Sequence, residues 1–285
     1  MAASLVVDHG ARMTIPKGRH FWKMSGSGND FLFFDARSEP LSELENPAMI
    51  DRLTARATGV GADGVVFLQN DAAEPLRIRY FNRDGSLGEL CGNASLCTTR
   101  LARELGISDG GAFRFATDAG VMSTRFVGDE PEIDLQPVQG LRPDAGIPLE
   151  AGEIRIGFAD TGVPHLVVLI DDTASVNVSN RGKSLRHHST LNAGANVNFV
   201  TKRPDGNWRI RTYERGVENE TLACGTGAVA TGVLLEAWGL SGAQTVLETR
   251  SGRLLTVSVR HSEGAIRPSL RGEGRIVFSG NLGEL

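Results

Sequence analysis

Two cysteines occupy matching places in a plan that the chain uses twice. Cys91-Gly92-Asn93 follows the run Ile78-Arg79-Tyr80-Phe81-Asn82-Arg83, and Cys224-Gly225-Thr226-Gly227 follows Ile210-Arg211-Thr212-Tyr213-Glu214-Arg215. Each Cys-Gly leads into a small-residue, apolar stretch that closes on a glycine fifteen residues after the cysteine, Gly106 in one half and Gly239 in the other. Both halves then reach a glycine turn, Thr117-Asp118-Ala119-Gly120 and Thr249-Arg250-Ser251-Gly252. A repeat of this length implies two similar lobes, each presenting one thiol. Facing lobes set the thiols on opposite sides of whatever fills the cleft. Such a pair can take a proton from one face of a carbon and return one to the other, which is the chemistry of a racemase or epimerase.

The α-hydrogen of an amino acid is very weakly acidic, so this chemistry needs a base and a way to stabilise the carbanion. Pyridoxal enzymes use their cofactor for the second task. No lysine here stands in a pattern that suggests a pyridoxal site, so the expected cofactor set is none and the protein must supply the stabilisation itself. Cys91 and Cys224 each stand just before a predicted helix and are followed by small residues. Unpaired N–H groups and the positive end of the dipole at a helix start favour anions. They are expected to lower the pKa of the adjacent thiol and to hold a carboxylate whose charge grows as the α-carbon loses its proton. One thiolate takes the proton while one thiol gives it.

The elements that position these groups repeat in order. The first half has a strand at Phe31 to Phe34, a helix opened by Asn46-Pro47 and stopped by Gly59, the turn Gly61-Ala62-Asp63-Gly64, strands at Val65 to Phe67 and Leu76 to Phe81, and the helix after Cys91. In the second half the strand Leu166 to Ile170 precedes a helix from Asn180 to His188 and the turn Gly194-Ala195-Asn196. Strands at Val197 to Val200 and Trp208 to Tyr213 then lead to the helix after Cys224. The expected fold class is α+β: two similar lobes related by an internal repeat, each with β-strands wrapped around a central helix. The expected divisions are an extension over residues 1–20, with Met13 as an alternative start, a lobe over 21–140 and a lobe over 150–272. The segment 273–285 is a terminal strand that returns to either lobe.

A chain of 285 residues, 40% hydrophobic and 22% charged, is long enough for two ordinary cores. The formal net charge of −4 and the lack of a basic, aromatic-interleaved cluster exclude the footprint of a nucleic-acid binder. The Leu5-Val6-Val7 run is too short for a signal-peptide core or a membrane span, so no membrane is expected and the location read is cytoplasmic. Three cysteines make no disulfide framework. Cys97, six residues past Cys91, points elsewhere around the helix and reads as a buried apolar-face residue. His187-His188 diverge on a helix with no third ligand in register, so no metal is expected. The glycines from Gly59 to Gly64 follow a helix and precede a strand, the reverse of a nucleotide loop.

Four ordered motifs together resemble the diaminopimelate epimerase family: Phe21-Trp22-Lys23-Met24-Ser25-Gly26-Ser27-Gly28-Asn29-Asp30-Phe31; Phe81-Asn82-Arg83-Asp84-Gly85-Ser86 leading to Cys91-Gly92-Asn93; Gly194-Ala195-Asn196-Val197-Asn198-Phe199-Val200; and Tyr213-Glu214-Arg215-Gly216 leading to Glu220-Thr221-Leu222-Ala223-Cys224-Gly225-Thr226-Gly227. The resemblance runs from Phe21 to about Gly252. It implies a cofactor-independent isomerase that interconverts LL- and meso-diaminopimelate in lysine and peptidoglycan precursor synthesis, commonly as a homodimer. It also implies that Cys91 and Cys224 are the catalytic pair, and that Asn29, Asn82, Asn196, Glu214 and Arg215 hold the substrate, with Arg215 pairing the far carboxylate. Gly92, Asn93, Gly225 and Thr226 would offer backbone donors, and His165 and Glu214 would tune the thiols. Val163, Gly64, Ala94 and Ser95 depart from the family pattern. Val163 stands where many relatives carry Asn, Gly64 where some carry a substrate-contacting Gln, and Ala94-Ser95 where relatives tend to carry Gly-Arg. Two other readings use the same thiols: a histidine- or proline-type racemase, and a redox protein cycling a Cys91–Cys224 disulfide.

Overall fold

The computed structural model describes residues 18–88 and 91–284. Residues 1–17 of the expected extension, with Met13, lie outside the described residues, and His20 already belongs to the first strand. The first half contains β1 (His20–Gly26), β2 (Asn29–Asp35), α1 (Pro47–Thr54), β3 (Gly64–Gln69), β4 (Arg77–Asn82), β5 (Leu87–Gly88), α2 (Gly92–Glu104), β6 (Phe113–Thr117), β7 (Gly120–Val127), β8 (Glu130–Asp134) and β9 (Gln139–Arg142). The second half repeats that order: β10 (Glu153–Asp160), β11 (Pro164–Ile170), α3 (Val178–Arg186), β12 (Asn196–Lys202), β13 (Trp208–Glu214), β14 (Asn219–Thr221), α4 (Gly225–Ala237), β15 (Gln244–Glu248), β16 (Leu254–Ser262), β17 (Ala265–Gly272) and β18 (Arg275–Asn281).

The pairings repeat as well. β2 runs parallel to β3 as β11 does to β12, and β4 runs parallel to β6 as β13 does to β15. The lobes are joined where equivalent strands meet, β8 against β17, with Ile133 opposite Leu270. Each terminal strand crosses over, so β9 pairs with β10 and β18 pairs with β1. The fold is therefore α+β, two similar lobes with strands around a central helix.

Burial on both faces explains the unbroken apolar runs in β2 and β11. Phe31 and Phe33 face a core that contains α2 and α4, while Leu32 and Phe34 pack with Met49, Ile50 and Leu53 of α1. In β11, Val167 and Leu169 face the shared core while Leu166, Val168 and Ile170 pack with Val178 and Leu185 of α3. Because one core cluster holds residues of both central helices, the lobes cannot separate without exposing it. Helix α4 is buried along most of its length, as its lack of a polar face requires. Cys97 is fully buried.

Three local readings need correction. Helix α1 ends at Thr54 rather than near Gly59, because Ala55 turns extended and the Leu53 carbonyl accepts from Val60 and Gly61, which ends the helical ladder. Helix α3 starts at Val178, two residues before Asn180, because Asn177 caps it by accepting from the Asn180 amide at 3.1 Å. Asn196 belongs to β12 rather than to the preceding turn, held in register opposite His165.

Candidate active site

Each central helix takes its cysteine as N-cap, and the two caps have nearly the same backbone: φ −134°, ψ 115° at Cys91 and φ −135°, ψ 112° at Cys224. The helix starts converge at the joint between lobes. A Cβ at Gly92 would lie 3.4 Å from a Leu270 methyl, and one at Gly225 would lie 3.0 Å from the same methyl and 3.4 Å from Asn93 Oδ1. The charge of Cys91 acts on Cys224, and that of Glu214 acts on both. The thiols thus share one site, and both are free.

Their acidity runs against the simple helix-start expectation. Burial pushes Cys91 up to about 11 and Cys224 up to about 12, and the Glu214 charge adds to both. The helix-start donors do act downward: the amides of Ala94 and Asn93 at Cys91, and the Thr226 hydroxyl and Gly227 amide at Cys224. They are outweighed, since removing a thiolate from water costs more than one or two donors return. Glu214 is itself raised, mainly by burial and further by Asp63.

Around Cys91, the thiol faces Asn29 Oδ1 at 3.9 Å, and Asn93 Nδ2 points to that same oxygen at 3.5 Å. Asn29 is oriented from behind, because its Nδ2 donates to Asp63 Oδ2 at 2.6 Å. Asp63 is held by Arg56 at 2.6 Å, and Arg56 and Lys23 also hold Asp30, at 2.8 and 2.7 Å. Burial alone would raise Asp30, but those two cations bring it down to about 2. The Tyr80 phenol reaches the thiol from β4, and burial together with the charges of Cys91, Glu214 and Asp63 keeps it protonated.

Around Cys224, the sulfur lies 3.5 Å from Thr226 Oγ1. Beneath it runs a buried polar chain. Asn198 Nδ2 points to His165 Nδ1 at 3.1 Å and donates to the Leu166 carbonyl at 3.0 Å, while Asn198 Oδ1 accepts from Thr212 at 2.9 Å. Gly227 is required above this chain, since a Cβ there would lie 2.2 Å from Asn198 Oδ1. The Leu166 carbonyl fixes the amide orientation, which puts the His165 proton on Nε2, a buried atom without a partner among the described residues. Burial, helped by the Arg215 charge, pushes His165 down to about 3, so the ring is neutral and adds no charge to the thiols.

The remaining candidates divide into free and engaged groups. Asn196 uses both ends of its amide, donating to the Pro164 carbonyl at 3.2 Å and accepting from the Arg215 amide at 2.8 Å. It positions the corner that carries Arg215, whose guanidinium donates to the Ala193 carbonyl at 3.4 Å. Asn82 ends β4 opposite Gly64 and donates to Ser86 Oγ at 3.0 Å within its turn. Thr161 Oγ1 ties the β10–β11 turn to the Thr226 carbonyl at 3.2 Å. Sequence reasoning did not single out Tyr80, Asp63 or Asn198. The period-2 alternation of strands offers a signal for two of them, because Tyr80 shares a face with Asn82 and Asn198 shares one with Asn196.

Solved structures with this architecture define the fold class. A Bacillus anthracis phenazine biosynthesis protein of the PhzF family aligns with a TM-score of 0.74 at 15% identity, covering 94% of this chain and 99% of its own. An Agrobacterium vitis hydroxyproline epimerase aligns with a TM-score of 0.65 at 18% identity, covering 94% and 93%. The protein thus has the two-lobed fold of the PhzF proteins and of that epimerase, with one cysteine at the start of each central helix. The sequence profile described as Diaminopimelate epimerase matches residues 21–139 and 157–275, one segment per lobe. Proteins named diaminopimelate epimerase from Gemmatimonas aurantiaca and Aquifex aeolicus are 50% and 39% identical, each over 93% of this chain and over 99% and 98% of their own length. The chain belongs to the diaminopimelate epimerase family.

Proposed function

We propose that this protein interconverts LL- and meso-2,6-diaminopimelate with Cys91 and Cys224 as the acid–base pair. The observation that carries the reading is the paired N-cap geometry, two cysteines with matching backbone at helix starts that converge on one seam. The reacting carboxylate is held by the backbone donors at Gly92-Asn93 and Gly225-Thr226, where charge grows as the proton leaves. Both thiols rest protonated in the free protein because burial and Glu214 oppose the thiolate. The substrate's α-ammonium supplies the positive charge that offsets Glu214, so binding creates the base. Arg215 pairs the far carboxylate, positioned by Asn196. Asn29, oriented by Asp63, and Asn82 face the substrate from the other lobe. His165, held neutral, offers its Nε2 proton as a donor, and Val163 gives an apolar contact beside it.

The test is exchange of solvent deuterium into the α-position of diaminopimelate by purified protein with no added cofactor. Wild-type protein exchanges and epimerises, and Cys91→Ala and Cys224→Ala each abolish net epimerisation. Either single variant epimerising at the wild-type rate sinks the two-thiol assignment.

Among the described residues no helix is long and apolar enough to cross a membrane. We further infer a cytoplasmic homodimer. Strand β18 has β1 on one side and, among the described residues, no strand on the other, and it exposes Val277 and Phe278. An apolar strand edge of this kind is a natural seat for a second copy. Light scattering that gives the mass of one chain at micromolar concentration would overturn the dimer.

A further inference from the structure

The Tyr80 ring sits in a slot that two glycines open. It lies on β4 between Gly64 of β3 and Gly88 of β5, which is its direct partner across the ladder. A Cβ at Gly64 would lie 2.6 Å from the ring, and one at Gly88 would lie 2.4 Å from it. Phe31 braces the ring edge-on, with centroids 6.1 Å apart. The phenol at the end of the ring held in this slot is hydrogen-bonded to the Cys91 side chain. The equivalent position in the other lobe is Thr212, whose hydroxyl is turned away into Asn198. Gly64 therefore does more than omit a side chain. It makes room for a hydroxyl that reaches the site from the neighbouring strand.

We propose that Tyr80 is a positioning residue of the Cys91 half-site, donating its hydroxyl proton to the Cys91 sulfur and favouring the thiolate when that sulfur acts as base. Cys91 is faced by Asp63 from the turn before β3, Glu214 at the end of β13, Cys224 at the start of α4, Cys97 within α2 and Tyr80 from β4. Asp63 and Glu214 bring negative charge, Cys224 is the partner acid–base group and Cys97 is a buried weak S–H donor, so the phenol is the strong neutral donor among these neighbours. Burial, with the charges of Cys91, Glu214 and Asp63 added to it, displaces its own titration upward, so it stays a donor. The inference rests on the two-thiol reading above.

The experiment is pH-dependent alkylation by iodoacetamide, with the Cys91 and Cys224 peptides quantified separately in the intact protein. Tyr80→Phe keeps the ring and removes the donor. It is expected to slow Cys91 alkylation about tenfold at each pH below the thiol pKa, which corresponds to a rise of about one pKa unit, and to leave Cys224 unchanged. Gly88→Ala displaces the ring while keeping the hydroxyl. It is expected to slow Cys91 by a similar factor, and the double variant to lose no more than either single one. With substrate, kcat/KM falls equally in both directions in Tyr80→Phe, because the overall equilibrium is fixed. An unmoved Cys91 profile, equal slowing of both cysteines, or multiplicative loss in the double variant overturns the proposal. Failure of the two-thiol reading looks different: Cys91→Ala would still epimerise.

Discussion

The two lobes hold their cysteines in nearly the same backbone and surround them with different chemistry. Strand register makes Phe31 equivalent to His165, Val66 to Asn198 and Tyr80 to Thr212, because Phe31 lies opposite Gly64 as His165 lies opposite Asn196, and Val66 pairs Tyr80 as Asn198 pairs Thr212. The turns match too: Gly28 and Gly162 take left-handed φ of 103° and 98°, so Asn29 aligns with Val163 and Asp30 with Pro164. The first lobe is polar at the rim, through Asn29, Asp63 and Asp30, and aromatic beneath. The second carries Val163 and Pro164 at the positions of Asn29 and Asp30 and is polar beneath, through His165, Asn198 and Thr212. Backbone symmetry therefore places the sulfurs, and side-chain asymmetry makes them inequivalent. A pair that must at any instant be one acid and one base needs both.

The sharpest way to break that comparison is to remove one sulfur at a time. Cys91→Ala and Cys224→Ala are each expected to lower kcat/KM by at least about 10³-fold, within the range for loss of a general acid or base. The losses should match within about tenfold, since neither thiol works without the other. A large loss from one and a small loss from the other would mean that a single base works with solvent.

Exchanging the buried fill gives the next largest effect. Asn198→Val copies the first lobe and strands His165 Nδ1, the Leu166 carbonyl and the Thr212 hydroxyl. It is expected to cost about 2–4 kcal/mol in urea unfolding, the range for several unsatisfied buried groups. Val66→Asn, the reverse copy, puts an unpartnered amide beside Phe33 and Leu68 and is expected to cost about 1–3 kcal/mol. A neutral Asn198→Val would show that the polar chain is decoration.

How much of this was legible depends on the range of the interaction. The Cys-Gly helix starts, the closing glycines and the repeated order of strands are local features, and they are readable. The partner of β18 was not, because its pairing with β1 joins His20 to Asn281 across almost the whole chain. The thiol acidity was misread for the same reason: the helix start is local, but burial and the Glu214 charge arrive at Cys91 from the other lobe. Tyr80 escaped notice because the residues that make its slot, Gly64 and Gly88, meet only when three strands pair. The ends of α1 and α3 turned on side-chain and loop hydrogen bonds that compete with propensity over a residue or two.

Acid should separate the lobes. His165 titrates at about 3 in the folded state against about 6.5 unfolded. The unfolded chain therefore binds the extra proton first, and stability falls as pH drops from about 6.5 toward 3. Asp30, at about 2 folded against 3.8, weakens the first lobe only in the lower window between those values. At pH 5 the second lobe alone is affected, by at most about 2 kcal/mol. Hydrogen exchange at pH 5 and 7, corrected for intrinsic rates, is expected to show lost protection in β11 to β13 and none in β2 to β4. Equal loss in both lobes would place the sensitive group elsewhere.

The smallest effect tests where the lobes ought to agree. Asn46 and Asn177 cap the equivalent outer helices α1 and α3, accepting from Met49 and Asn180 amides at 3.0 and 3.1 Å. Replacing either with Ala removes one cap bond at a partly exposed helix end, worth about 1 kcal/mol. Asn46 also donates to the Glu43 carbonyl at 2.8 Å, and Pro47 fixes the first helical residue of α1 whether or not the cap is present. The extra bond makes Asn46→Ala the costlier change, while the proline limits the difference by holding the chain in helical φ. Chemical denaturation should find both variants destabilised by about 1 kcal/mol, Asn46→Ala by a few tenths more, with alkylation rates at Cys91 and Cys224 unchanged in both. If either cap variant altered one thiol and spared the other, the outer helices would be coupled to the sulfurs, and the inequality of the two half-sites would extend beyond the side chains that touch them.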